Sequence, residues 1–282
     1  MIVDAHVHVG AWKHADFLAR EASLADAVAV FRDSGVDGAV VMPTDTYDNP
    51  GLLRAARAQL QSGYDGSLWL FPWIRPLDDT GNEASDGGDG ARDLAWVREH
   101  AAALAGVKIH PSLSRVRVSH PGFAPMLELA GELGLVVLVH CGRWQEIASY
   151  RFAIETAAKY PAVRFMLAHA GGDTPPLATA AAEMVASSGV DNVWFDIAGL
   201  REYWVIERNV GRIGAERYLM GSDFCLAHPS MYIGAIGGMN ITDAAKAAIL
   251  GENAVELFGA PASLSALDSL IAADPDGDGE RS

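Results

Sequence analysis

The chain has 282 residues, half of them hydrophobic, with 36 acidic against 21 basic side chains and a formal net charge of −15. That charge works against a nucleic-acid partner, whose phosphate backbone it would repel. No run of about 18 uninterrupted apolar residues offers a membrane span. Two cysteines, Cys141 and Cys225, are too few for a disulfide framework, and residues 1–10 lack the basic start of a secretory leader, so a cytoplasmic protein is expected.

Eight short apolar runs have strand character: 2–9, 38–42, 67–74, 106–110, 135–140, 163–169, 192–197 and 217–222. They recur roughly every 30 residues, the size of a βα unit. Several are nearly continuous in Val, Leu, Ile and Phe, as expected of parallel strands buried on both faces. Between them lie helical patterns at 23–34, 49–61, 91–105, 122–133, 150–160, 175–188, 202–213 and 242–258. Ser23 is placed to cap the first of these and Gly35 to stop it. The alternation predicts an α/β chain of the (β/α)8 TIM-barrel class, formed by residues 1–260. A doubly wound dinucleotide fold would need a glycine-rich turn after the first strand, where Gly10 stands alone. Residues 77–93, rich in Asp and Gly, are expected to form a mobile loop over the barrel mouth, the alternative being a disordered insertion. Residues 261–282 are expected to be an extension with an acidic flexible tail.

The chemistry-bearing residues fall at the ends of the apolar runs. His6 and His8, two apart on one strand, share a face. Lys108 and His110 end the fourth run, His140 the fifth, His169 the sixth, Asp196 the seventh and Asp223 the eighth. In a barrel these ends converge on one mouth. Imidazoles plus a carboxylate there suit a divalent ion such as zinc, which acidifies water and polarises a carbonyl. Asp223 is the candidate for moving the water proton, and His169 for contacting a developing oxyanion. The plainer alternatives are a hydrogen-bonded core histidine for His169 and a turn-capping carboxylate for Asp223. His14, His100, His120 and His228 are expected on loops or helix surfaces.

Six stretches sharpen this picture: Asp4-Ala5-His6-Val7-His8, Val107-Lys108-Ile109-His110-Pro111, Val139-His140-Cys141-Gly142, Leu167-Ala168-His169-Ala170-Gly171-Gly172, Gly221-Ser222-Asp223-Phe224 and Ile249-Leu250-Gly251-Glu252-Asn253-Ala254. In this order the chain resembles the amidohydrolase superfamily, in the branch holding aminocarboxymuconate-semialdehyde decarboxylase-like and pyrone-dicarboxylate lactonase-like enzymes. The resemblance implies His6, His8, His140 and Asp223 as metal ligands. His169 would be a further ligand or a catalytic, substrate-facing residue. One ion is expected rather than two: zinc first, with manganese, iron or magnesium as alternatives. A second ion would require Lys108 to be carbamylated. The Lys-x-His-Pro pattern instead suits Lys108 as a substrate-anion contact or as an internal partner of Asp4 or Asp196.

Loops after the strands supply the substrate side. Arg143 and Arg75 can hold a carboxylate, Trp144 and Trp12 can cover an apolar body, and His110 faces the same mouth. The expected substrate is a small organic acid, and a homodimer is compatible with the chain. The expected reaction is metal-dependent hydrolysis of an amide, ester or lactone. The alternative is non-oxidative decarboxylation of an aromatic or dienoic acid.

Overall fold

The computed structural model describes residues 1–77 and 90–273. Eight parallel strands follow in chain order: β1 (Val3–Ala11), β2 (Gly38–Pro43), β3 (Ser67–Leu70), β4 (Gly106–Ile109), β5 (Val136–Val139), β6 (Arg164–Leu167), β7 (Val193–Asp196) and β8 (Tyr218–Leu219). Each ladder joins sequence neighbours. The β3/β4 seam is held by bridges Leu70–Leu104 and Trp73–Lys108. The β8/β1 seam is closed by Ala5 N–H to Met220 O (2.8 Å) and by the Val7–Phe224 bridge. The order is therefore cyclic, the (β/α)8 barrel expected of this pattern. A further two-residue strand, Glu21–Ala22, pairs antiparallel with the end of β1.

The helices form where the sequence carries their signals. Helix Leu24–Ser34 begins in a reciprocal capping box between Ser23 and Asp26 and stops at Gly35, whose φ of 70° is the left-handed cap conformation. Helix Asn49–Gln61 takes Asp48 as its cap, with Pro50 in the first turn. Helix Leu264–Ala273, which lies in the extension, was not among the predicted elements. Buried Leu267 and an Arg57–Asp268 ion pair (2.6 Å) tie it to helix Asn49–Gln61.

Most of the predicted 77–93 loop lies outside the described residues, as does the acidic tail from 274 on. Residues 90–93 open helix Gly90–His100, and Asp93 is buried there.

Two apolar layers result from the strand alternation. Ala39, Val41, Leu68, Leu70, Val107, Ile109 and their like pack outward against the helices. Val40, Met42, Trp69, Phe71, Val136, Leu138, Met166 and Leu219 fill the barrel interior toward the strand starts. Leu257 and Phe258 of helix Asn253–Phe258 plug that end, with Phe258 against Trp69 and Phe71. Asn253 fixes the plug by donating to the carbonyls of Ala215 and Tyr218 (both 2.8 Å).

Candidate metal centre

At the strand ends the interior changes from apolar to polar. On β1 the change is made by a bulge: the pairing with β2 slips between Asp4 and Val7. Val3 and Ala5 join the interior apolar cluster below the slip, and Val7 and Val9 pack outward above it. His6 and His8 thereby face the axis, buried. Beside these histidines, Gly221 permits β1, β7 and β8 to approach closely. A Cβ there would lie 3.1 Å from that of His6 and 3.2 Å from that of Asp196.

Hydrogen bonds fix which nitrogen of each imidazole carries a proton. His8 Nδ1 faces the Pro43 carbonyl (2.9 Å) and must donate to it. His6 Nδ1 donates to Asp196 Oδ2 (3.0 Å). The two Nε2 lone pairs then face each other at 3.2 Å, with Asp223 Oδ1 at 3.6 and 3.5 Å. Lys108 Nζ lies 3.2 Å from His6 Nε2. Three acceptors this close repel one another unless a cation lies between them. Donors about 2.1 Å from a tetrahedral zinc stand about 3.4 Å apart, so the residues present fit such an ion. The outer bonds to Asp196 and Pro43 are of the kind that orient metal-binding histidines.

His169 and His140 complete the ring. His169 Nδ1 donates to Ala198 O (2.9 Å), and its Nε2 faces His140 Nδ1 at 3.1 Å. His169 sits in the left-handed region (φ 59°), where its amide donates to Asp196 Oδ1 (3.1 Å). Asp223 is also left-handed (φ 60°) and its amide donates to His6 O (2.9 Å). Such backbone positions gather at functional sites. A compact set around His6, His8 and Asp223 thus adjoins one around His6, His169 and Asp196.

Burial dominates the electrostatics. It holds the His6, His110 and His140 imidazoles well below their ordinary range, with Lys108 adding to the effect on His6. It takes His8 to about 4 and Lys108 to about 8. It also pushes Asp196 up. Asp4 rises to about 7 by burial, against hydrogen bonds from the Ser222 hydroxyl (2.6 Å), the Ser222 amide and the His6 amide. For Asp223 burial also raises the carboxyl, but His6, His169, His8 and Lys108 outweigh it, and the net shift is downward. His6, His8, His110 and His140 are therefore neutral and Asp223 ionised near pH 7, the forms a metal requires.

The site opens into a cavity of about 430 Å³. Of the side chains singled out in the sequence, His6, His8, His110, His140, His169, Asp223, Arg143 and Trp12 line it. Arg143 is largely exposed and pairs with Asp173 (2.8 Å). Lys108 lies beneath, wholly buried. Arg75 and Trp144 are not among the lining residues. Arg75 is held bidentately by Asp93 (2.8 and 2.9 Å), and Trp144 is exposed beneath Arg115. Asp4 and Asp196, weighed as partners of Lys108, hydrogen-bond Ser222 and the two histidines, and the Asp196 charge also favours the Lys108 cation.

Phe17, Asp173 and Leu226 line the cavity without having been singled out. Asp173 follows the Gly171-Gly172 turn, the one local signal that could have marked it. Of the remaining histidines, His14, His120 and His228 cap helix starts. His100, expected on a surface, is buried and stacked on Trp96.

The amidohydrolase family model matches residues 3–260, and the chain belongs to that family. Similar solved structures include a Pseudomonas putida protein assigned as a 2-pyrone-4,6-dicarboxylic acid hydrolase, at 19% identity and TM-score 0.68, covering 92% of this chain and 97% of that one. The 5-carboxyvanillate decarboxylase of Sphingomonas paucimobilis matches at 15% identity and TM-score 0.61, covering 91% and 98%. A dihydroxybenzoic acid decarboxylase of Polaromonas sp., solved with manganese and 2-nitroresorcinol, matches at 14% identity and TM-score 0.66, covering 91% and 96%. At these identities the likeness establishes the fold. No curated protein matches the chain. Among the described residues no helix is long and apolar enough to cross a membrane.

Proposed function

We propose that the chain is a metal-dependent hydrolase of a small carboxylate-bearing amide, ester or lactone. The observation that carries this reading is the position of Asp223. One of its oxygens lies 3.5–3.6 Å from two histidine lone pairs, and its side chain, 18% exposed, borders the cavity. His6, His8, His140 and Asp223 would hold the ion, zinc being the first choice and one ion sufficing. When bound, such an ion polarises a carbonyl and makes water acidic enough to deprotonate near pH 7.

The chain's own groups do the rest. Asp223, kept ionised by its neighbours, accepts the proton of the attacking water and returns it to the leaving group. His169 turns Nε2 toward the reacting centre, because Ala198 occupies its other nitrogen. Arg143, at the rim, offers its guanidinium to a substrate carboxylate, while Trp12 and Phe17 cover an apolar body. Lys108, beneath the floor, adds positive potential at His6.

Decarboxylation is the second reading, and the His140–His169 pair favours it: two imidazole nitrogens 3.1 Å apart can carry a proton toward a substrate carbon. Against it, Nδ1 of His169 is hydrogen-bonded to the Ala198 carbonyl rather than to a carboxylate. The test is to incubate zinc-loaded protein with lactones, esters and dihydroxybenzoates, following ring opening and carbon dioxide together. Ring opening without carbon dioxide supports hydrolysis, and carbon dioxide release from a benzoate replaces it with the second reading.

A further inference from the structure

Six rings form a closed circuit around the barrel axis. Trp73 stacks on His110 (5.2 Å, 21°), His110 on His140 (3.8 Å, 12°), His140 meets His169, His169 meets His6, His6 meets His8, and His8 returns to Trp73. The imidazoles in this circuit are not wired alike. His6, His8 and His169 each present an acceptor to Nδ1, which places the proton on Nδ1 and the lone pair on Nε2.

His110 is wired the other way. It caps the short helix Pro111–Ser114, and its Nδ1 accepts from the Leu113 amide (3.3 Å), which is shared with the His110 carbonyl (3.1 Å). A nitrogen that accepts from an amide holds a lone pair, so the ring proton must be on Nε2. Turning the ring over would set carbon against that amide. Flat packing between Trp73 and His140 leaves the ring no other plane.

The ring lines the cavity and is 8% exposed, and its Nε2 has no hydrogen-bond partner among the described residues. We infer that His110 is a dedicated hydrogen-bond donor to substrate, its Nε2–H recognising an sp2 oxygen, carbonyl or carboxylate, and that it is not a metal ligand. This rests on the reading of the cavity as a substrate site. It sets His110, built to hold an oxygen, apart from His6 and His8, whose Nε2 lone pairs face a cation site. Arginine at the rim and this N–H deeper in would then grip two separate acceptor groups of one small acid.

The experiment is 15N NMR of histidine-labelled, zinc-loaded protein, with the His110 signals assigned through His110→Gln. His110 should show a protonated, pyrrole-type Nε2 and a pyridine-type Nδ1, the reverse of His8 and His169. Benzoate, used as the probe, should shift the His110 Nε2 signal. His110→Phe keeps a flat ring without an N–H and should weaken benzoate binding at least about tenfold, the scale of a hydrogen bond to a charged group. His110→Gln retains an N–H near that position and should recover most of the loss, with zinc content equal in all three proteins.

A proton found on Nδ1, a His110 nitrogen that shifts as a ligand when zinc is added, or benzoate that leaves the Nε2 signal in place would each overturn the inference. Failure of the metal reading would show separately, as His6 and His8 signals that zinc does not move.

Discussion

The two halves of the barrel interior are built on the same strands with opposite contents. Toward the strand starts, Val40, Met42, Trp69, Phe71, Val136, Leu138 and Leu219 pack with no polar side chain among them. Toward the strand ends stand His6, His8, Lys108 and Asp196, all buried, with His140 and, past β8, Asp223 partly so. The lower layer gains stability from area removed from water and needs no partner chemistry. The upper layer spends part of that stability on desolvating charges, and it persists because Asp4, Asp196, His6, His8 and His169 each find a fixed donor or acceptor. A rigid lower half is what allows the upper half to be expensive.

That division can be tested from its largest expected effect downward. Asp223→Asn should lower turnover more than about 1000-fold, the scale of losing a principal catalytic group, while most of the zinc stays bound. Steady-state kinetics with elemental analysis checks both parts, and near wild-type turnover would remove Asp223 from the chemistry. His6→Ala should strip the ion instead. Occupancy falls, and the stabilisation given by excess zinc, on the order of 4 kcal/mol at 1000 times Kd, disappears from thermal melts.

Leu138→Ala, in the lower layer, should invert the pattern. It should cost about 2–5 kcal/mol in urea unfolding and leave zinc affinity of the folded protein unchanged. A shift in zinc affinity comparable to that of His6→Ala would mean that the layers are not separable.

The smallest effect is a pH profile. Asp4 has its carboxyl raised from 3.8 to about 7 in the fold. The folded state therefore holds a proton that the unfolded chain has lost over that interval. The stability this group contributes is complete below about pH 4 and is lost as the pH rises through 7. In metal-free protein, wild type minus Asp4→Asn stability should fall across pH 4–7, and a flat or rising difference contradicts the assignment.

Much of this was legible in the chain. Parallel strands covered on both faces read as apolar runs, and a polar residue closing such a run is conspicuous, which is why His140, His169 and Asp223 could be placed before any coordinates. The bulge in β1 was not legible. Strict alternation already puts His6 and His8 on one face, and nothing in Asp4-Ala5-His6 announces that Ala5 turns inward as well. Arg75 and Trp144 follow strands as Arg143 does, but a side chain's direction out of a loop depends on neighbours far away in sequence, here Asp93 and Arg115. Helix Leu264–Ala273 carried its own signal in Ser263, whose hydroxyl accepts from the Ala266 amide, although the acidic residues beyond it suggested only solvent.

The amide of Asp223 donates to the carbonyl of His6, so the bond that brings the carboxylate to the imidazoles is also a stitch of the seam between the first strand and the last. An ion held there would act as a clasp on the cylinder. Its grip would fall on the β8/β1 seam, which is held by single backbone bonds and the Val7–Phe224 bridge rather than by a continuous ladder. Joining the two ends of the chain and preparing the pocket for chemistry are, in this molecule, a single act.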